Sequence, residues 1–432
     1  MNNWSFEHKI HHYKCREIFN AACSPGTDVW VHLDEINDDE NMYLSFSIIT
    51  EDIIRYDAES RNQPGYRPYF MSFIARKTEN AIRFVRNNAE ILNYGDGGPA
   101  TGWFSAVISD TYNNRNNDAT YEFDGQTEFC ASPVEYKDKH LIITSKRVPK
   151  SILDKINTTY CVTTKSDTDI VNLMNPILNG VTLEEARVYR VGHGNLIRFL
   201  GQGTGKKSFN MLYDVGYHRG SHPVGRANKY CTLGRILLNV DLRLVVLSHW
   251  DADHIMGIAY APDKVFDVPW VAPDVSDCSL NARRLACFLD YKKKLNLVQK
   301  NQNPRTVFVS GFLELAMGKN KSVDDVSRAN SSGLVIAYRT SKTNSIFCGD
   351  VPYKALVPIA SGIWNYEYKN IVVPHHAREM DAEPLKPVIL RGRAIYCNNR
   401  DMDNGHTDEL KRKNYELKKT EDARNYYSLK LN

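Results

Sequence analysis

The sequence predicts a chain in two parts, an α+β module over residues 1–180 and a layered α/β domain over residues 181–432. Three observations predict it. Asn179-Gly180 is a turn signal, and beyond it short apolar stretches alternate with turns in a regular series. Within that series Leu242 to Leu247 is a near-continuous apolar run, the pattern of a strand buried on both faces. Residues 1–180 have a different texture, rich in Tyr, Asn and Asp, and carry no motif with evident chemistry.

Composition sets the outer limits. With 432 residues, 42% of them hydrophobic, the chain can form two or three domains and a full core without disulfide staples. Its formal net charge of +4 comes without a long Lys/Arg run, so it permits a polyanionic partner without arguing for one. The nine cysteines are Cys15, Cys23, Cys130, Cys161, Cys231, Cys278, Cys287, Cys348 and Cys397. Their odd number, irregular spacing and lack of a CxxC pair fit reduced thiols rather than a disulfide framework or a zinc ribbon. The first residues hold no apolar core like that of a signal peptide. No apolar stretch reaches the ~18 residues of a membrane span. The expected setting is cytoplasmic, with no membrane partner.

In the first part, Met42 to Ile49 and Tyr69 to Ile74 read as strands and Lys77 to Leu92 as a helix, with loop-like polar segments such as 110–118 between elements. His11 and His12 are adjacent, but nothing nearby completes a metal-ligand spacing, and solvent-facing positions are expected. In the second part, Val188 to Val191 and Leu196 to Leu200 read as paired strands around Gly192-His193-Gly194-Asn195. Phe209 to Tyr213 and Leu242 to Leu247 are further strands, and Leu280 to Leu297 reads as a helix. Thr306 to Val309, Gly333 to Tyr338, Ile346 to Cys348 and Ile371 to Val373 read as strands, Glu409 to Ala423 as a charged helix, and Tyr426 to Leu431 closes the chain. No internal repeat is evident.

The chemistry concentrates where the Leu242 to Leu247 strand ends. There the chain reads Ser248-His249-Trp250-Asp251-Ala252-Asp253-His254, an HxDxDH pattern with four potential metal ligands inside six positions. A strand end fixes the first ligand and the following loop wraps the rest around one point. Imidazole and carboxylate suit Zn, Mn or Fe. Three other strand ends carry polar groups: Tyr213-Asp214-Val215-Gly216, Cys348-Gly349-Asp350 and Val373-Pro374-His375-His376. Trp250, inside the motif, is expected to pack.

This ordered set, over about residues 187–410, resembles the metallo-β-lactamase superfamily, and within it the hydrolase domain of ComEC-type competence proteins and their soluble bacterial relatives. The resemblance implies an αββα sandwich for 181–432. It matches Asp214-Val215-Gly216 to the family's DxG turn and places Asp251 where most members have a second His. It implies Asp350 as a carboxylate bridging two metals. His375-His376 resembles the HHG-like step, with Ala377 in place of Gly, and Asn404-Gly405-His406 a late N-x-GHP-like step, with Thr407 in place of Pro. Asn330-Ser331 resembles the pair that precedes a hairpin.

The implied ligands are His249, Asp251 and Asp350 for one ion and Asp253, His254, Asp350 and one of His375 or His376 for the other. Asp214, Asn330 and Ser331 would support them or touch substrate. His218 and His222, in the loop after Gly216, are as much surface residues as substrate contacts, and His193 is a turn residue. No histidine lies between His254 and His375, so the set is rich in carboxylate, which shifts the expected cofactor from Zn towards Mn. The cofactor expected is one or two divalent ions.

The resemblance implies a metal-dependent hydrolase. The leading expectation is a phosphodiesterase or nuclease on DNA or RNA, in the manner of soluble relatives found in bacterial defence or toxin-like systems. There Asp253 orients the attacking water and His406 protonates the leaving oxygen. Hydrolysis of a small ester, lactone or cyclic nucleotide is a second expectation, because one metal centre serves several substrates. A third is a non-enzymatic metal scaffold whose residues 1–180 bind a protein partner.

Overall fold

The computed structural model describes residues 6–37, 43–76, 79–87, 102–111, 120–130, 135–144, 147–192, 194–217, 232–319, 332–357, 362–374, 383, 385–397 and 405–431. The chain divides into two compact units: Met1–Val162 with Val275–Lys293, and Thr163–Asp274 with Lys294–Asn432. The first unit thus includes a segment, Val275–Lys293, that lies in the sequence between two stretches of the second.

The first unit is built on a closed antiparallel barrel. Its strands are β1 (Asp28–Asn37), β2 (Tyr43–Ile49), β3 (Phe70–Arg76), β4 (Trp103–Ser109), β5 (Thr120–Cys130) and β6 (Glu135–Thr144), in the order β1-β2-β3-β5-β6-β4. Closure leaves no free strand edge. Phe46, Phe73, Phe84 and Phe123 are fully buried within this unit. Helices α1 (Phe6–Ala22), α2 (Glu51–Ser60), α3 (Glu79–Asn87) and α4 (Lys150–Thr159) accompany the barrel. His11 corrects the solvent-facing expectation: it is 6% exposed, with Nδ1 2.6 Å from the Tyr56 hydroxyl. A single histidine pair gave no periodic signal by which to place it on the inner face of α1.

The second unit opens with β7 (Thr164–Lys165) and helix α5 (Asp167–Leu178), started by a capping box between Ser166 and Asp169. Its first sheet adds β8 (Thr182–Tyr189), β9 (Ile197–Gln202), β10 (Ser208–Tyr213), β11 (Leu242–Val246), β12 (Trp270–Pro273) and β13 (Leu295–Val298). The second sheet holds β14 (Arg305–Ser310), β15 (Leu313–Met317), β16 (Leu334–Arg339), β17 (Asn344–Phe347), β18 (Asn370–Val372), β19 (Gly392–Tyr396) and β20 (Tyr415–Lys419); β21 (Tyr426–Lys430) returns to the first. The orders are β21-β8-β9-β10-β11-β12-β13-β7 and β14-β15-β16-β17-β18-β19-β20. Each sheet begins antiparallel and turns parallel, from β10 to β7 in one and from β17 to β20 in the other.

The two sheets face each other across one core. Phe199, Met211, Tyr213 and Leu244 of the first and Leu315, Ile336, Tyr338 and Phe347 of the second share a buried cluster. Alternate residues of each strand face inward because strand side chains repeat every second position. Phe199 meets Phe347 edge-on at 4.7 Å between ring centroids, and the Tyr213 hydroxyl donates to the Leu334 carbonyl at 2.7 Å. Each such side chain, fully buried, stabilises the fold by about 1.5–3 kcal/mol. The outer face of the second sheet, with Val335, Ala337 and Ile371, is covered by Tyr353, Leu356, Ile363 and Leu410.

Two expected helices are shorter than the sequence suggests. The stretch from Leu280 becomes helix Leu280–Tyr291, then Lys293 turns at φ 57° and the chain enters β13. The C-terminal charged stretch becomes helix Gly405–Arg412, a turn at Asn414 with φ 68°, and β20. In both places a left-handed residue ends the helix, and parallel neighbours recruit the next residues as a strand.

Candidate metal centre

In both sheets the parallel strands point their C-terminal ends the same way, which is where open α/β sheets place ligands. Asp214 follows β10, Ser248 and His249 follow β11, and Asp350 follows β17. The register pairing Tyr213 with Val246 brings the first two ends side by side, and the Leu334 amide donates to the Ser248 carbonyl at 2.8 Å, linking the β11 end to the second sheet. Trp250 packs as expected: it is 1% exposed and donates its indole N–H to the Pro273 carbonyl.

His249, His254 and Asp350 form the one group among the described residues whose ligand atoms cluster tightly enough to hold a metal ion. All three are buried. The two oxygens of Asp350 are divided between the histidines. Oδ1 lies 3.1 Å from His254 Nε2, and Oδ2 lies 3.6 Å from His249 Nε2. Each imidazole has a further carboxylate beside it: Asp251 Oδ2 is 3.4 Å from His249 Nε2, and Asp253 Oδ2 is 3.7 Å from His254 Nε2. His249 Nε2 is buried and makes no hydrogen bond. A buried polar atom left in this way is costly unless something else meets it. Burial works against protonating either ring. The neighbouring carboxylates, Asp251 and Asp350 for His249 and Asp350, Asp253 and Asp214 for His254, nevertheless hold both above the usual imidazole range. A pocket that draws protons onto two imidazoles is one that accepts cations, and the donor set fits a divalent ion.

Behind these groups lies Asp214, fully buried, with φ 59°, a left-handed conformation strained for any residue other than glycine. Four hydrogen bonds hold it there. Its Oδ1 accepts from the Ser248 amide at 2.6 Å, and its Oδ2 from the Ser248 hydroxyl at 2.8 Å, Asn195 Nδ2 at 2.7 Å and His254 Nδ1 at 2.8 Å. The Asp214 carboxylate thus contacts the His254 ring directly and the Ser248 amide and hydroxyl beside His249. The glycine of the DxG turn has a steric reason, since a Cβ on Gly216 would lie 2.0 Å from the Asp253 carbonyl. Gly349, at φ 56°, is required likewise: a Cβ there would meet the Ser248 Cβ at 2.3 Å.

Ser248, Asn195 and Cys397 belong to this shell and were not singled out from sequence. Cys397 Sγ lies 3.5 Å from Asn195 Oδ1, and burial raises its thiol to about 12. Ser248 had a signal, a hydroxyl wedged between an apolar strand and the first ligand type. Asn195 and Cys397 had none, because only the fold brings them to Asp214. His375, His376, Asn330, Ser331, His193, His218 and His222 lie outside the described residues. His406 falls in the first turn of the helix Gly405–Arg412.

No family model matches the chain, and no curated protein does. Among solved structures it is similar to a mutant of CmlA β-hydroxylase, at 14% identity and a TM-score of 0.33, over 57% of this chain and 54% of that one. It is similar to a protein of unknown function from Enterococcus faecalis, at 13% identity and a TM-score of 0.27, over 47% and 53%. It is also similar to a long-form RNase Z from yeast, at 11% identity and a TM-score of 0.25, over 72% and 43%. The chain spans about half the length of the first two. Overlaps this partial assign neither family nor activity.

Proposed function

We propose that the second unit is a metal-dependent hydrolase of metallo-β-lactamase type, with phosphodiester bonds of DNA or RNA as its substrate class. The observation that carries the reading is the division of Asp350 between two imidazoles, each with its own second carboxylate. That arrangement suits two ions sharing one bridging group. His249, Asp251 and Asp350 would hold one, and Asp253, His254 and Asp350 the other, joined by His375 or His376. The carboxylate-rich set favours Mn over Zn. When bound, the ions supply Lewis-acid activation of water and charge stabilisation at the phosphoryl oxygens.

The chain's own groups do the rest. Asp253 is the less buried partner of His254, with its side chain 24% exposed, so its carboxylate reaches both the ligand cluster and the solvent from which water enters. It orients that water. Burial of His249, His254 and Asp350 excludes bulk solvent from behind the reacting atoms. His406 would deliver the proton to the leaving oxygen.

The test is hydrolysis of a phosphodiester reporter, of single- and double-stranded DNA and RNA, and of a lactone, by full-length protein loaded with Mn or Zn, across a salt series. Nucleic-acid cleavage that weakens steeply with salt supports the reading, because a polyanion releases counterions on binding. Lactone turnover indifferent to salt, with no phosphodiester cleavage, overturns the substrate class.

A further inference from the structure

The chain enters β19 through the loop 385–391. Leu385 and Val388 are buried, at 1% and 4% exposure, in the layer over the outer face of the second sheet. The next two residues turn outward. Ile389 is 84% exposed and Leu390 67%, and Ile389 is the most exposed large apolar residue among those described. Hydrogen bonds fix this tip. Asn414, at φ 68°, donates through Nδ2 to the Val388 and Ile389 carbonyls at 3.0 and 3.4 Å, and its own carbonyl accepts from the Gly392 amide at 3.0 Å. The Val388 amide donates to the Lys413 carbonyl at 3.1 Å, and Lys413 Nζ to the Leu385 carbonyl at 2.7 Å. Two exposed aliphatics on a loop tied at both ends are preorganised to enter something apolar, because little further ordering is needed on contact.

The charged groups around the tip are unequal in sign. Glu383 pairs with Lys413, and Glu416 with Arg391 and Lys418. That leaves Glu367, whose Oε2 accepts from the Ile389 amide at 3.5 Å. Against it stand Lys342, Lys369, Lys386 and Arg393, which make no ion pair among the described residues. Lys386 and Lys369 donate instead to the Asn365 and Lys342 carbonyls, and the Arg393 amide donates to the Lys369 carbonyl. We propose that this tip docks the protein on an anionic lipid surface, with Ile389 and Leu390 entering the boundary between headgroups and acyl chains and the four bases lying level with the lipid phosphates. Three observations favour a bilayer over another protein. The aliphatics project rather than line a groove. The surplus charge is of the sign an anionic leaflet attracts. Tyr366, 42% exposed between Asn365 and Glu367, sets beside the tip a side chain of the kind enriched at membrane–water boundaries. No helix among the described residues is long and apolar enough to cross a membrane, but a loop that only enters its surface needs none. Strands β17, β18 and β19 are parallel, so the tip before β19 and Asp350 after β17 lie at opposite ends of the sheet, and docking leaves the metal centre uncovered.

The experiment is co-sedimentation of the full-length protein with vesicles of equal parts phosphatidylglycerol and phosphatidylcholine, beside vesicles of phosphatidylcholine alone, over a salt series. The wild type should pellet with the anionic vesicles and be released as salt rises, because attraction to the headgroups is screened. Ile389→Ser combined with Leu390→Ser should weaken binding by at least about tenfold, since it removes the two side chains that leave water. Lys386→Gln and Arg393→Gln should each weaken it by about fivefold, the share of one base near an anionic leaflet. All four positions are exposed, so the urea midpoints of the variants should stay at the wild-type value. A wild type that stays in solution with anionic vesicles, equal pelleting with phosphatidylcholine alone, or undiminished binding by the serine variant would overturn the inference. So would self-association of the wild type in the ultracentrifuge that the serine variant abolishes, which would assign the tip to a second copy of the chain.

Discussion

Asp350 concentrates more of the site's chemistry than any other described residue. It follows the buried strand β17, is 4% exposed, and faces both imidazoles. Asp350→Ala removes a negative charge and two candidate ligand atoms without touching the sheet core. Metal analysis should show at least one ion fewer per chain, with hydrolysis lost and the far-UV spectrum unchanged. Asp241→Ala, an exposed carboxylate paired with Arg243 at 3.5 Å, should match the wild type. A second prediction at this scale concerns acid stability. Burial first, then Arg67, His12 and His11, lower His8 from 6.5 to about 3. Between those values the unfolded chain holds the proton and the folded chain does not, so stability rises with pH through the window and is lost as pH falls from 6.5 towards about 3. His8→Gln removes that proton, and its urea midpoint should decline less over the same acid range.

The helix Leu280–Tyr291 shows how one element ties itself in. Every residue from Leu280 to Leu289 is buried, although the stretch includes Asn281, Arg283 and Arg284. Charge at such depth persists only when paired. Arg284 is 2% exposed and donates to both oxygens of Asp57, at 2.6 and 3.1 Å, and Asp57 also accepts from the Tyr66 and Tyr160 hydroxyls at 2.7 Å each. Asn281 Nδ2 donates to the Ser47 and Ser72 hydroxyls of the barrel. Arg284→Met therefore leaves the Asp57 carboxylate buried beside two tyrosines with no cation, and should cost about 3–5 kcal/mol in denaturant unfolding. Adding Asp57→Asn should recover part of that loss, because it removes the stranded charge and keeps an acceptor for a tyrosine.

Across the whole molecule, the segment 275–293 leaves the second unit's sequence and returns to the first. It lies between β12 and β13, parallel neighbours that need a crossover connection of roughly a dozen residues or more. The expected consequence concerns truncation. A chain of residues 163–432 keeps α5, whose Ile170, Met174 and Leu178 belong to the sheet core, but carries a helix stripped of Asp57, Tyr66 and Tyr160. It should aggregate on light scattering. Replacing 275–293 in it by a Gly/Ser linker of equal length should give a monomer that still binds metal. Aggregation of both to the same degree would place the fault elsewhere in the second unit.

The sequence by itself determined the strands and the place of the chemistry. Leu242 to Leu247 had to be a buried strand, and the HxDxDH run had to follow its end, because apolar continuity and ligand spacing are local properties that survive without knowing the fold. Asp214-Val215-Gly216 and Gly349-Asp350 were legible for the same reason. Helix ends at Lys293 and Asn414 were not, since a left-handed turn has no strong composition at those residues and the strands after them exist only through their neighbours. The barrel closure, the burial of His11 and the return of 275–293 were likewise decided by long-range packing. So was the second layer of the site. Asn195, Ser248 and Cys397 come from three separate stretches, and only sheet register sets the first two against Asp214 and Cys397 beside Asn195. Which atoms could bind a cation is written in residue types and spacing, whereas which oxygen faces which imidazole depends on distances of a few ångströms between strands far apart in the chain.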